Sequence, residues 1–164
     1  MALRDANYVI DVISEILDEI IIENENETNI EKTNYDELLS AFLSKKPPVI
    51  SINKYLHRFM KYSKLEPSTI LIALIYIDRI CEVSNLQLNS YNIHRLLLAC
   101  LVISIKYNED DYYSNEYYAK VGGISLKELN VLEYTILIFL NFELFIDEAL
   151  YENYENQIQE YERV

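Results

Sequence analysis

Two charged residues stand among apolar neighbours at helical spacing, where an unpaired charge is costly. Glu133 lies four residues after Leu129 and three before Ile136, and Lys106 lies four residues after Val102, so each shares a helix face with apolar side chains. Burying a lone charge costs several kcal/mol, so each needs a partner. The two could pair with each other, bind backbone groups of another protein, or do both. Alternatively, Lys106 extends from its helix end into solvent and Glu133 lies at the rim of the core.

A third charge, Asp78, shows the same anomaly. It shares a helix face with Leu74 and Ile75 and therefore also needs a cation. Arg58 and Arg95 are the candidates, and the interpretation we favour is a structural salt bridge between Asp78 and one of them.

No other set of residues predicts catalysis or metal binding. His57 and His94 fall on different predicted helices without the spacing of a metal site, and no Ser-His-Asp set, phosphate loop or paired-cysteine zinc motif can be assembled. Cys81 and Cys100 lie inside apolar runs, which predicts buried free thiols in a reducing compartment. We therefore expect no enzyme activity, no cofactor and no metal.

Composition and charge narrow the remaining classes. The chain has 164 residues, 51% of them hydrophobic, with only 2 glycines and 3 prolines, which favours one helical domain over a sheet protein rich in turns. Its net charge of -13 opposes nucleic-acid binding, which requires basic side chains, and suits a basic protein surface.

The location of the protein is predicted from its apolar segments. The longest strongly apolar stretch, residues 96–105, is about half of a membrane span, and the first residues lack the basic and apolar regions of a signal peptide. We expect a soluble intracellular protein of the cytoplasm, the nucleus or both, with no membrane partner.

Hydrophobic periodicity and capping residues predict an all-α protein. A first helix is predicted over residues 5–22, followed by an acidic loop over residues 23–29 and a short helix over 34–43. After Pro47 and Pro48, five more helices are expected over residues 49–62, 67–82, 89 or 90 to 107, 114–121 and 125–140, and a last one over 147–161. Residues 96–105 are apolar except Ser104, so the other helices should surround this one.

Several strings in these segments resemble the cyclin family. They read LEPST at 65–69, ALIYIDR at 73–79, HRLLL at 94–98, YAKVGGI at 118–124 and ELNVLE at 128–133. The last two look like the signature of the P-type cyclins, a branch similar to the cyclins of phosphate control. The resemblance covers residues 49–145, about 60% of the chain. It implies a single five-helix cyclin box around the central helix, over residues 47–146, with flanking helical segments over 1–46 and 147–164.

The resemblance also implies a function and site residues. A cyclin of this kind is a regulatory subunit that docks on the C-helix of a cyclin-dependent protein kinase and activates it. In the family, a lysine closing the third box helix and a glutamate on the fifth form a kinase-binding pair, and these match Lys106 and Glu133. Asp110 matches an aspartate suited to meeting an arginine of the kinase activation segment, and Asp111 lies beside it.

The chain departs from many cell-cycle cyclins in one respect. Residues 49–55 lack the arginine and the tryptophan with which those cyclins bind substrates. We therefore expect substrate docking there to be weak or different. A nucleic-acid-binding protein with a cyclin fold is disfavoured by the charge, and a non-catalytic helical scaffold without a kinase partner remains the alternative.

Overall fold

The computed structural model describes residues 5–27 and 37–161 of the chain. Within these ranges the protein is all-helical and contains no strand. The seven α-helices found there are α1 (Ala6–Glu27), α2 (Ile52–Tyr62), α3 (Pro67–Ser84), α4 (Ile93–Asn108), α5 (Asn115–Gly122), α6 (Leu126–Phe139) and α7 (Glu148–Tyr161), and a short 3-10 helix covers Leu39–Phe42. The prediction of an all-α fold is confirmed.

Helix α4 is the centre of the molecule, as its sequence predicts. Every residue from 96 to 105 is buried, and α4 packs against α2, α3 and α6. The one polar residue of this stretch, Ser104, donates its hydroxyl to the Thr69 carbonyl of α3 at 2.8 Å, so its burial leaves no hydrogen bond unmade.

Helices α1 and α7 pack on the same core as the five helices between them. Helix α1 contacts α2, α3 and α7 and buries one apolar stripe that includes Ile10, Ile13 and Leu17. Helix α7 contacts α1 and α3 and buries Ile158. These packed faces are the ones that helical spacing predicts.

The end of α1 differs from its prediction. Residues 23–27, expected to be an acidic loop, continue the helix because two of their side chains bind the segment before α4. The Glu25 carboxylate accepts from the Ser90 backbone N–H at 2.8 Å, and Asn24 donates to the Leu88 carbonyl at 3.0 Å. Residues 28 and 29 of the predicted loop lie outside the described ranges. In place of the short helix expected over 34–43, the structure has the 3-10 helix Leu39–Phe42. Residues 34–36 of the predicted helix lie outside the described ranges.

Helix starts follow the local capping chemistry. Helix α2 begins after Ser51, whose Oγ accepts from the Lys54 N–H at 3.2 Å, three residues later than predicted. Helix α4 begins after Asn92, because residues 89–92 form a turn in which the Asn92 side chain accepts from the Asn89 N–H at 3.0 Å. Helix α6 begins with the predicted capping box of Ser125 and Glu128.

Candidate functional site

Lys106 and Glu133 form an ion pair where α4 ends beside α6. The Lys106 Nζ donates to Glu133 Oε1 at 2.8 Å and to Oε2 at 3.2 Å. The lysine side chain is 31% exposed and the glutamate side chain 14%, so the pair lies at the surface with its carboxylate mostly covered. Lys106 belongs to the last turn of α4, where the helix dipole also favours a cation. Of the alternatives open from the sequence, pairing between the two side chains is observed.

Asn115 is a third member of this cluster that sequence reasoning missed. Its Nδ2 donates to Glu133 Oε2 at 2.5 Å and to Asn130 Oδ1 at 2.9 Å. Asn115 is the first residue of α5, and Ser114 caps that helix, so the α5 N-terminus positions the amide. The periodicity of the sequence gives no signal for this contact, since it depends on how α5 packs on α6.

Apolar side chains surround the pair. A shallow recess of about 300 Å³ is lined by Ile103, Tyr107, Leu137 and Leu144 together with Lys106 and Glu133. Other exposed apolar residues lie on α6 and in the segment that follows, namely Val131, Tyr134, Ile138, Phe142 and Phe145, and Val131 and Tyr134 line a separate recess with Leu126, Lys127 and Asn130. A hydrogen-bonding pair with unused capacity among exposed apolar and aromatic side chains has the chemistry of a protein-binding surface.

A second recess, of about 570 Å³, lies beyond the end of α4 and is acidic. Its lining includes Glu66, Glu109, Asp110 and Asp111, with Lys64 at the same recess. Partial burial raises the pKa of the Glu109 carboxyl, and the negative charge of Glu66 adds to that rise. Asp110 and Asp111 themselves are exposed. The predicted site residues therefore occupy two neighbouring recesses, since Ile105 lines the acidic one and Lys106 the apolar one.

The predicted salt bridge of Asp78 with Arg58 or Arg95 is not formed. The Asp78 carboxylate accepts from the Tyr154 hydroxyl of α7 at 2.7 Å, and partial burial raises its pKa. Arg95 instead pairs with Glu128 at 2.9 Å, and the guanidinium of Arg58 lies 5.1 Å from the centre of the Tyr55 ring. The prediction failed because Asp78 contacts α7, which packs on α3. Both arginines lie on other helices, Arg58 on α2 and Arg95 on α4.

The histidines and cysteines serve structural roles. His57 Nε2 lies 2.9 Å from Asp11 Oδ1, His94 Nε2 lies 2.8 Å from the Ile50 carbonyl, and burial raises the pKa of both cysteine thiols. Among residues 5–27 and 37–161, no cluster of three or more His, Cys, Asp or Glu could hold a metal ion. No helix in these ranges combines the length and the hydropathy that crossing a bilayer requires.

Comparison with known proteins gives consistent matches. The cyclin family description matches residues 7–144. The chain is 41% identical to Cyclin-U4-1 of Arabidopsis thaliana over 122 residues, which cover 74% of this chain and 60% of that protein. It is 34% identical to Cyclin-P3-1 of Oryza sativa subsp. japonica over 134 residues, 82% and 57% of the two chains. It is 36% identical to PHO85 cyclin-7 of Saccharomyces cerevisiae over an alignment of 169 positions with gaps, which covers 92% of this chain and 59% of that protein. The chain thus spans about three fifths of the length of these relatives.

Proposed function

Because this chain belongs to the cyclin family, whose members are regulatory subunits, we propose that it binds and activates a cyclin-dependent protein kinase. The observation that carries the proposal is the Lys106–Glu133 pair, held 2.8 Å apart at the edge of an exposed apolar surface. We take this surface to include the recess around the pair and the exposed apolar side chains of α6 and of the residues after it.

The pair is suited to hold backbone groups of a kinase. The Lys106 ammonium directs two of its three N–H groups at Glu133 and retains one donor, and the carboxylate, which accepts three hydrogen bonds, retains one of its roughly four lone-pair sites. In the complex, Lys106 would donate to carbonyls of the kinase segment that leads into its C-helix, and Glu133 would accept from its amides. Asn115 supports this role because its amide holds the carboxylate from a second side.

The apolar residues would supply most of the buried area. Tyr134 is 63% exposed, Phe142 63% and Phe145 71%, and large aromatic side chains dominate the energetics of many protein interfaces. Docking of the kinase C-helix on this surface would turn the helix inward and complete the phosphoryl-transfer site. The charged pair would then fix the register of the contact, while burial of the apolar side chains would supply most of the binding energy.

The acidic recess would receive an arginine of the kinase activation segment. Asp110 and Asp111 line it with Glu66 and Glu109, so four carboxylates face a common space. A carboxylate that pairs with such an arginine can replace a phosphate as the group that orders the segment. The proposed complex would therefore be active without phosphorylation of that segment.

The test is a pull-down of cyclin-dependent kinase by the chain, followed by measurement of its affinity and activity. We expect Lys106→Glu or Glu133→Ala to weaken binding by about 2–5 kcal/mol, roughly 30- to 4,000-fold, because the remaining charge of the pair would be covered by the kinase without its partner. Asp110→Ala with Asp111→Ala should lower the activity of kinase whose activation segment is unphosphorylated.

Lys120→Glu is the matched control, since this exposed lysine lies on α5 outside both recesses. Circular dichroism should show that every variant keeps its helices. If Lys106→Glu or Glu133→Ala binds and activates the kinase within about threefold of the unmodified chain, that result would contradict the assignment of the site. Capture of no kinase by the unmodified chain would favour the scaffold alternative.

A further inference from the structure

The basic residues of this acidic chain are concentrated in one segment. Residues 45–64 contain six of its 14 lysines and arginines and no aspartate or glutamate, although the net charge is -13. The six are Lys45, Lys46, Lys54, Arg58, Lys61 and Lys64. None of them forms an ion pair in the described part of the chain. Such a local excess of unpaired positive charge attracts anions to this part of the surface.

Three of these residues form a continuous stripe on α2. Lys54, Arg58 and Lys61 lie four and three residues apart, which places them on one face of the helix. The neighbouring face is occupied differently, because Asn53 and His57 both bind the Asp11 carboxylate of α1, at 2.8 and 2.9 Å. The basic stripe of Lys54, Arg58 and Lys61 is therefore separate from the contact between α1 and α2.

Arg58, in the middle of the basic stripe, has no hydrogen-bond acceptor in the described structure. Its Nε is enclosed and makes no hydrogen bond, and its guanidinium lies over the ring of Tyr55. The Tyr55 ring is held in turn, because its hydroxyl donates to the Gly122 carbonyl at 3.0 Å. Arg58 is thus a positioned cation whose two Nη groups make no hydrogen bond in the described structure, and these two groups can bind two oxygens of one phosphate or carboxylate.

The size and surroundings of the basic stripe select a short ligand. Seven residues of helix separate Lys54 from Lys61, which is about 10 Å, enough for one phosphate and its neighbours in a peptide. The rest of the chain is strongly acidic and would repel an extended polyanion such as nucleic acid. Three cations around one anion also favour the double charge of a phosphate over the single charge of a carboxylate.

We propose that the basic stripe binds a phosphoserine or phosphothreonine side chain of a partner protein. The basic stripe lies on α2, whereas the surface proposed for the kinase lies on α4 and α6, and peptide binding to the stripe can be measured with the isolated chain. The proposal therefore does not depend on whether the chain activates a kinase.

The test is fluorescence anisotropy of the whole chain with a short labelled peptide that carries one phosphoserine. Its unphosphorylated form, a form with glutamate in place of phosphoserine, inorganic phosphate and a short single-stranded RNA are the comparison ligands. We expect the phosphopeptide to bind at least tenfold more tightly than the unphosphorylated peptide, and less tightly as salt is added. Lys54→Gln with Lys61→Gln should weaken binding by about tenfold or more, as should Arg58→Gln.

The two lysines are exposed, so their double variant keeps the test valid if Arg58→Gln fails to fold. Lys127→Gln, at an exposed lysine of α6, is the matched control and should bind as the unmodified chain does. Equal binding of the phosphorylated and unphosphorylated peptides would overturn the proposal, as would equal weakening by Lys127→Gln. Tighter binding of the glutamate peptide or of RNA, or equally effective competition by inorganic phosphate, would overturn the assignment to a phosphorylated side chain.

Discussion

Among single residues, Glu128 shows how one carboxylate stabilises two helices. Its Oε2 accepts from the Ser125 backbone N–H at 2.8 Å, which closes the capping box of α6. Its Oε1 accepts from Arg95 of α4 at 2.9 Å. The Ser125 hydrogen bond, and then the one from Arg95, lower the pKa of this carboxyl to about 2. Both contacts favour the ionised form, so their contribution to stability depends on pH.

We expect Glu128→Gln to lower the free energy of unfolding by about 0.5–1 kcal/mol at neutral pH, a modest loss because solvent screens a side chain that is 44% exposed. The folded pKa is lowered from the ordinary value of 4.5 to about 2. The stabilisation is therefore complete above pH 4.5 and is lost as pH falls toward 2.

Urea unfolding of both chains from neutral pH downward measures this difference. Glu116→Gln, at an exposed glutamate of α5, should show a smaller difference in the free energy of unfolding at neutral pH. A Glu128→Gln difference that stays constant below pH 4.5 would contradict the assignment.

Sequence alone predicted some of the charged contacts and missed others. Lys106 and Glu133 could be identified because each breaks an apolar pattern, and their pairing was one of few ways to satisfy them. Asp78 was identified for the same reason, but its partner, Tyr154, lies 76 residues away. Spacing along a helix gives the direction of a side chain and does not give the helix that packs against it.

Among the helices, the approach of α5 to α4 depends on Gly122. This residue ends α5, and a Cβ atom built on it would lie 2.2 Å from Leu98 Cδ2 and 2.7 Å from its Cδ1. Leu98 is fully buried in α4, so its side chain has little space to move away. Glycine at position 122 therefore allows the last residue of α5 to lie directly against Leu98 of the central helix.

We expect Gly122→Ala to destabilise the protein by about 1–3 kcal/mol, because the added methyl overpacks the core. Gly123→Ala is the comparison. Gly123 has a positive φ of 73° and the nearest atom to its added Cβ would be 3.7 Å away, so its cost of about 1 kcal/mol comes from the backbone alone.

Urea unfolding of both variants separates the two effects. In a chain that already carries Leu98→Ala, the substitution Gly122→Ala should cost less than it does in the unmodified chain, since the clashing atoms are gone. A Gly122→Ala variant as stable as the unmodified chain would show that α5 and α4 separate without cost.

The helices themselves were predicted better than their ends. The start of α4, at Ile93, was misjudged by three to four residues because Asn89, Ser90 and Asn92 are all plausible caps. Where this helix begins also depends on tertiary contacts, since Glu25 of α1 accepts a hydrogen bond from the Ser90 backbone N–H. The start of α6 was predicted correctly because Ser125 and Glu128 form a cap within four residues.

The whole molecule combines one continuous core with a strongly acidic surface. The core includes buried residues from α1 to α7, while three ion pairs occur among the described residues, one of them with a histidine. With 27 acidic residues against 14 basic ones, most carboxylates have no cation beside them. Their mutual repulsion opposes the compact state.

We expect monovalent salt to stabilise the isolated chain. Raising sodium chloride from low ionic strength to about 0.15 M shortens the screening length to about 8 Å, which weakens repulsion between carboxylates more than it weakens the few ion pairs. Each kcal/mol gained should raise Tm by about 2–4 °C in a chain of this size.

Differential scanning calorimetry in sodium chloride measures the change. Glu152→Gln, on the exposed face of α7, should raise Tm at low salt and reduce the response to salt. A Tm that falls as salt is added would mean that attraction between the basic stripe and the acidic surface outweighs the repulsion.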